Sequence, residues 1–70
     1  MTTKFLRLND VLALTGLSRS SIYHLMKTRE FPASVPLGRK AVGWVQEEID
    51  GWVQARIRLR QAALEALSRE

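Results

Sequence analysis

The sequence predicts a single small domain that is mostly α-helical and carries one β-hairpin. Two short amphipathic segments are separated by a glycine turn, a hairpin pattern with a basic tip follows, and a long helical segment ends the chain. Two helices around a turn of three to four residues are typical of a helix-turn-helix. We therefore expect a winged helix-turn-helix domain over residues 1–58 and a C-terminal helical extension over residues 59–70.

The composition limits what such a domain can do. The chain has 70 residues, 46% of them hydrophobic, and no cysteine, which excludes disulfides and thiolate metal sites. A domain of this size buries only about 60% of its unfolded surface, so we expect no deep catalytic cleft and no enzymatic activity. No apolar run resembles a signal peptide or a membrane span. We expect a soluble cytoplasmic protein without membrane contact.

Positive charge is concentrated in the first two thirds of the chain. The net charge is +4 at pH 7; residues 1–45 carry seven Lys/Arg and two Asp/Glu, whereas residues 46–70 carry four and five. A basic surface confined to one part of a domain favours a polyanionic partner, because neutralised phosphates release counterions. Composition alone leaves an ordinary basic protein equally open.

The first helix is predicted to be short and to follow a brief strand. Residues 5–8 (Phe-Leu-Arg-Leu) have a period of two, which predicts an extended segment. Asn9 is the expected N-cap, and Asp10 lies in the first turn, where a carboxylate stabilises the positive end of the helix. Gly16 is expected to end this helix, because glycine adopts a positive φ without strain.

The second helix is expected to follow the N-cap Ser18 and to run from residue 19 to about residue 28. Ile22, Leu25 and Met26 recur at spacings of three and four, which places them on one buried face. Phe31-Pro32 is expected to stop the helix. The opposite face can form hydrogen bonds and carries no acid: it comprises Ser20, Tyr23, His24 and Lys27, flanked by Arg19 and Ser21. Such a face is typical of a helix that reads base edges in the major groove.

Residues 34–37 and 41–45 are predicted to pair as a hairpin with Gly38-Arg39-Lys40 at its tip. Pro36 has no N–H to donate, so its strand should lie at the edge of a sheet. Arg39 and Lys40 are expected to contact the adjacent DNA backbone or the minor groove. The alternative is a solvated turn whose charges protect a sheet edge.

The third helix is predicted from Gln46 onward, with Glu47, Glu48 and Asp50 in its first turn. Its apolar stripe of Ile49, Trp52 and Val53 should cover the hairpin and the first two helices. Trp44 and Trp52 are interpreted as core aromatics and not as platforms for nucleobases.

The same helix continues with a heptad-like pattern. Val53, Ile57, Arg60, Leu64 and Leu67 recur at spacings of four, three, four and three. This seam would pair two chains as a homodimer, and a solvated helical tail is the alternative.

The sequence gives no indication of a metal, a cofactor or a catalytic site. His24 is the only histidine and has no second His or Cys as a co-ligand. A hydrolase that uses Ser20 or Ser21 with His24 is not indicated, because the sequence shows neither a strained nucleophile turn nor an oxyanion site. We therefore expect no cofactor.

Several segments together resemble one known family. They are residues 5–8, residues 15–23 (Thr-Gly-Leu-Ser-Arg-Ser-Ser-Ile-Tyr), Phe31-Pro32, Leu37-Gly38-Arg39, and Val42-Gly43-Trp44 through Asp50-Gly51-Trp52. Over roughly residues 4–58 the chain resembles the AlpA family of phage and prophage transcriptional regulators, which is similar to MerR-type winged helices and to excisionases. The resemblance implies a DNA-binding winged helix-turn-helix and points to Arg19, Ser20 and Tyr23 in the recognition helix and to Arg39 in the wing.

The sequence thus predicts a transcriptional regulator that binds double-stranded DNA, with helix 19–28 in the major groove. The predicted contacts are Arg19, Ser20, Ser21, Tyr23, His24, Lys27, Arg29, Arg39 and Lys40. Lys27 and Arg29 suit phosphates, which position the helix without specifying a sequence. Two alternatives stay open: an excisionase-like architectural factor that bends DNA, and a helical protein-interaction module.

Overall fold

Residues 3–68, the part of the chain that the computed structural model describes, form three helices and three short strands. In chain order these are β1 (Phe5–Leu6), α1 (Leu8–Thr15), α2 (Arg19–Lys27), β2 (Val35–Gly38), β3 (Ala41–Val45) and α3 (Gln46–Ser68). Helices α1 and α2 form the helix-turn-helix, and β2 and β3 form the wing. The predicted fold class, mostly α with a small hairpin wing, is confirmed.

Helix α1 begins two residues earlier than the sequence predicted. Its N-cap is Arg7, whose backbone is extended (φ −85°, ψ 166°), and Asp10 Oδ2 accepts the Arg7 N–H at 3.1 Å. The prediction of Asn9 as the cap is wrong, because Asp10 bonds back across three residues as the acidic member of a capping box does. This turn also ends β1 at Leu6, so the predicted strand over residues 5–8 is only two residues long.

The turn between α1 and α2 comprises Gly16, Leu17 and Ser18. Gly16 has a φ of 72°, and its N–H donates to Leu12 O at 2.8 Å. Ser18 caps α2, because its Oγ accepts the Ser21 N–H at 3.2 Å. Both predicted caps are confirmed, and the short turn keeps the two helices in one compact unit.

Helix α2 ends through a feature that the sequence did not predict. Arg29 has a φ of 61°, in the left-handed region. Its N–H donates to Met26 O at 3.2 Å, and the Glu30 N–H donates to Leu25 O at 2.8 Å. These two bonds define a Schellman motif with arginine where glycine is usual. The predicted stop at Phe31-Pro32 is therefore secondary, since α2 already ends at Lys27.

Replacing Arg29 is expected to reveal the cost of this conformation. The Arg29→Gly variant should be about 1 kcal/mol more stable than Arg29→Ala, because a Cβ costs about 1–2 kcal/mol in the left-handed region and the extra unfolded-state entropy of glycine offsets part of that gain. Both variants lose the same charge, so the comparison isolates the backbone. Urea denaturation measures the difference, and equal stabilities would contradict a strained cap.

Strand β3 is the centre of a three-stranded antiparallel sheet with the order β1-β3-β2. Leu6 in β1 lies opposite Trp44, and Pro36 in β2 lies opposite Val42. The predicted hairpin is confirmed, and Pro36 lies in an edge strand as its missing N–H requires. The pairing of β1 with the hairpin was not predicted, and it places the residues after β1 beside the wing.

Gly43 in β3 lies close to atoms of both outer strands. A Cβ at this position would lie 3.2 Å from the backbone oxygen of Leu6 and 2.8 Å from Leu37 Cδ1. The first of these contacts is with backbone, which gives way less easily than a side chain. A larger residue would therefore require small shifts of the Leu37 side chain and of the Leu6 backbone.

Every helix and the central strand contribute to one hydrophobic core. Its fully or almost fully buried members are Val11, Ile22, Phe31, Trp44 and Ile49. Leu25 and Met26 pack against this cluster and are partly buried, which confirms the predicted inner face of α2. Because that face is fixed against α1 and the sheet, the opposite face of α2 points to solvent.

The two tryptophans hold the connector between α2 and the wing, residues 28–34. Trp44 Nε1 donates to Pro32 O at 3.1 Å, and Trp52 Nε1 donates to Glu30 O at 2.7 Å. The rings of Phe31 and Trp52 meet edge to face with centroids 4.9 Å apart. The core interpretation is confirmed for Trp44, which is fully buried, while Trp52 is partly buried.

Helix α3 starts directly after β3, and its Gln46 N–H donates to Lys4 O at 2.9 Å. Glu47 and Glu48 occupy the first turn as predicted, but Asp50 lies beyond it. Residues 54–68 are all exposed, so the last part of α3 extends away from the core. Within the described range, none of the helices combines the length and the hydropathy needed to traverse a bilayer.

Candidate nucleic-acid interface

The outward face of α2 presents the polar side chains that the sequence singled out. Ser20, His24 and Lys27 are exposed, and Tyr23 is partly buried. The helix sequence contains no acidic residue. This face therefore offers hydrogen-bond donors and acceptors without a charge that repels phosphates.

Arg19, the first residue of α2, is turned towards Tyr23. Its guanidinium carbon lies 5.7 Å from the centroid of the Tyr23 ring, within the range of a cation–π contact. The two residues are four apart, which places them on neighbouring turns of the helix. The contact lies on the side of α2 that faces α1 and the wing, where both residues line one concavity.

A concavity with a basic rim lies where α1, α2 and the wing meet, and we call it the basic notch. Its polar lining consists of Arg7, Asn9, Arg19, Tyr23 and Lys40, and its apolar lining of Leu8 and Val42. The three cations come from three different parts of the fold. Among residues 3–68, no acidic side chain lines the notch. The arrangement is suited to an anion.

Arg7 and Asn9 were not among the predicted contact residues. Arg7 reaches the notch because β1 pairs with β3, and Asn9 because it lies in the first turn of α1 rather than capping it. Arg7 lies between β1 and Asp10, the residue that accepts its backbone N–H. Its place in the notch can be inferred only once β1 is known to pair with β3.

The other predicted residues differ in their surroundings. Arg39 is exposed at the wing turn but does not line the notch. Ser21 is partly buried, and its Oγ accepts the Ser18 hydroxyl at 3.0 Å, so it belongs to the cap of α2. Arg29 is exposed beside Glu30, whose carboxylate accepts the Thr28 hydroxyl at 3.1 Å. Glu30 lies just after the C-terminal end of α2, among the cations Lys27 and Arg29.

The described residues contain no cluster of three or more His, Cys, Asp or Glu side chains that fits a metal ion. The chemistry of the surface is thus that of hydrogen-bonding groups and positive charge. A surface of this chemistry can bind a polar, anionic partner.

The helix-turn-helix, the wing and the basic surface between them define a winged helix-turn-helix protein. The chain belongs to the AlpA family: residues 4–57 match the family described as Prophage CP4-57 regulatory protein (AlpA). The resemblance found in the sequence is thereby confirmed.

Two individual relatives are similar over most of their length. The chain is 44% identical over 63 residues to the uncharacterized protein ORF88 of Enterobacteria phage P4. The aligned region covers 90% of this chain and 72% of the relative. It is 37% identical over 62 residues to the DNA-binding transcriptional activator AlpA of Escherichia coli K12. This aligned region covers 80% of this chain and 89% of the relative.

Proposed function

We propose that this protein is a transcriptional regulator that binds double-stranded DNA sequence-specifically, with α2 in the major groove. The wing lies on the adjacent backbone or in the minor groove. The observation that carries this proposal is the continuity of the acid-free outer face of α2 with the basic notch. The similarity to an activator named as DNA-binding gives independent support.

The proposed contacts other than Arg19 divide into three groups by chemistry. Ser20 and His24 lie exposed along α2 and can exchange hydrogen bonds with base edges, which present distinguishable patterns in the major groove. Lys27, Arg29, Arg39 and Lys40 are exposed cations that suit phosphates. Ser21 and Tyr23, which are partly buried, contribute hydroxyls at the edge of the same surface.

His24→Ala is expected to change sequence preference more than general affinity. Loss of a base contact should cost about 1–3 kcal/mol on the preferred duplex and relax discrimination at one base pair. The measurement is a binding titration on duplexes that carry each of the four base pairs at every position. An equal loss on all duplexes would assign His24 to the backbone and remove it from the reading group.

The experiment that tests the function is selection of bound duplexes from a random pool, followed by footprinting of the enriched site. Sequence-specific regulation requires an enriched motif with a bounded footprint. An unenriched pool would contradict it. The bend angle of the selected duplex separates a regulator from an excisionase-like architectural factor, because wrapping requires a strongly bent site.

The exposed apolar stripe on α3 favours a second role as an interaction surface for another copy of the chain. Ile57, Leu64 and Leu67 are 42%, 52% and 68% exposed. The exposed stripe runs from residue 57 to residue 67, with Arg60 between its apolar residues, and is about 15 Å long at 1.5 Å per residue. Val53, which precedes it, packs against the core. Two copies that pair along it would bury the same surface reciprocally, as in an isologous dimer. Such a dimer suits a palindromic operator.

Truncation after Arg58 tests both this dimer and the proposed boundary between residues 58 and 59. The fold should survive, because every described residue after Arg58 is exposed, while self-association should fall. Sedimentation measures the oligomeric state, and circular dichroism measures the folded structure. If the full-length and the truncated chain have the same oligomeric state, the proposed dimer is wrong. Loss of the folded structure would contradict the boundary.

A further inference from the structure

Three positively charged side chains from separate parts of the fold line the basic notch. Arg7 lies between β1 and α1, Arg19 begins α2, and Lys40 lies in the wing turn. Cations grouped around a concavity raise the local positive potential, which attracts an anion. We infer that the basic notch is a phosphate-binding site that holds the backbone of the bound duplex. This inference rests on the proposed DNA-binding function.

The other polar groups of the notch suit a phosphate. The Asn9 amide and the Tyr23 hydroxyl can each donate a hydrogen bond, and a guanidinium can donate two parallel bonds to phosphate oxygens. Asp10 is the acidic residue nearest in sequence to Arg7 and Asn9. It accepts the backbone N–H of Arg7 and does not line the notch. A phosphodiester therefore meets donors and positive charge in this site.

Arg19 makes a contact that favours its orientation in the notch. Its guanidinium carbon lies 5.7 Å from the Tyr23 ring centroid, within the range of a cation–π contact. A contact that favours the bound orientation reduces the entropy lost on binding. Arg19 lines the notch, and this distinguishes it from Ser20 and His24, which line a different concavity on α2. The geometry assigns Arg19 to the backbone and not to a base.

A phosphate in this position would link the two DNA-contacting parts of the protein. Lys40 belongs to the wing and Arg19 to α2, so one phosphate bound by both fixes the wing and the helix on the same strand. Phosphate contacts set register and orientation, and base contacts then specify the sequence. Arg7 adds a third point of attachment from the β1–α1 junction.

The test uses Arg7→Ala and Arg19→Ala, each titrated against the selected duplex and a scrambled duplex at several salt concentrations. Each variant should bind both duplexes on the order of tenfold more weakly, with a smaller salt slope than the wild-type protein. Arg58→Ala removes an exposed arginine outside the notch and should change neither quantity. The N-cap bond of Arg7 uses its backbone N–H, so Arg7→Ala retains it.

A scan with single methylphosphonate linkages identifies the phosphate. One neutral linkage should weaken wild-type binding and have a smaller further effect on Arg7→Ala or Arg19→Ala, because part of the contact is already lost. Unchanged affinity of Arg7→Ala, as expected if an acidic protein segment occupies the notch, would overturn the inference. A loss confined to the selected duplex would do the same. If the wild-type protein binds no duplex, the proposed function itself fails.

Discussion

DNA affinity is expected to fall by about 150-fold between roughly 50 mM and 200 mM salt. The cations of the basic notch would neutralise one phosphate, and the exposed cations Lys27, Arg29 and Arg39 would neutralise about three more. Each phosphate contributes a slope of about −0.9 in a plot of log affinity against log salt. Fluorescence anisotropy with a labelled duplex measures the slope directly.

Variants that remove single charges make this result specific to the surface. Arg39→Ala and Lys27→Ala should each reduce the slope by about 0.9, since one fewer phosphate is neutralised on binding. Arg58→Ala, on the exposed part of α3, serves as the matched control and should leave the slope unchanged. A flat salt response of the wild-type protein would contradict a phosphate-based interface, and an equal effect of all three variants would show only a general dependence on net charge.

Much of the fold is predictable because its signals are local. Gly16 and Ser18 act through their own backbone and side-chain geometry, and the spacing of Ile22, Leu25 and Met26 reports the buried face of α2 directly. Such features depend on a few consecutive residues. They set the turn and the orientation of α2, which is why the outer face of that helix was identified correctly.

The errors occur where two local signals compete or where a distant partner decides. Asn9 and Asp10 are both good helix-start residues, and the outcome depended on the Asp10 carboxylate bonding back to Arg7. Arg29 takes a conformation that favours glycine, so its residue type gave no indication of the helix end. The α2 termination was therefore attributed to Phe31-Pro32, which lies further along the chain.

The candidate site was only partly predictable for the same reason. A helical wheel places Ser20, His24 and Lys27 on one face without any knowledge of the tertiary structure. Arg7 joins the site only because β1 pairs with β3, a long-range contact that joins residues about 40 positions apart. The periodicity of the sequence does not indicate which residues are brought together by sheet pairing.

Trp44→Ala is expected to lower the free energy of unfolding by about 3–5 kcal/mol, because a fully buried aromatic side chain is replaced by a cavity. A 70-residue domain has a total stability of about 4–10 kcal/mol, so this loss is a large fraction of the whole. Leu59→Ala is the control: Leu59 is 58% exposed, and its truncation should change stability by less than about 0.5 kcal/mol. Urea titration monitored by circular dichroism compares them, and similar losses would contradict the core assignment.

Trp44→Phe tests how the core controls the wing. Phenylalanine keeps an aromatic ring but removes the Nε1–H that donates to Pro32 O, so a loss of about 1–2 kcal/mol is expected while the protein stays folded. Because Pro32 lies in the connector between α2 and the wing, this variant should also weaken DNA binding through a displaced wing. Its effect should then be less than additive with that of Lys40→Ala. Strict additivity would mean that the wing keeps its position without the Trp44 hydrogen bond.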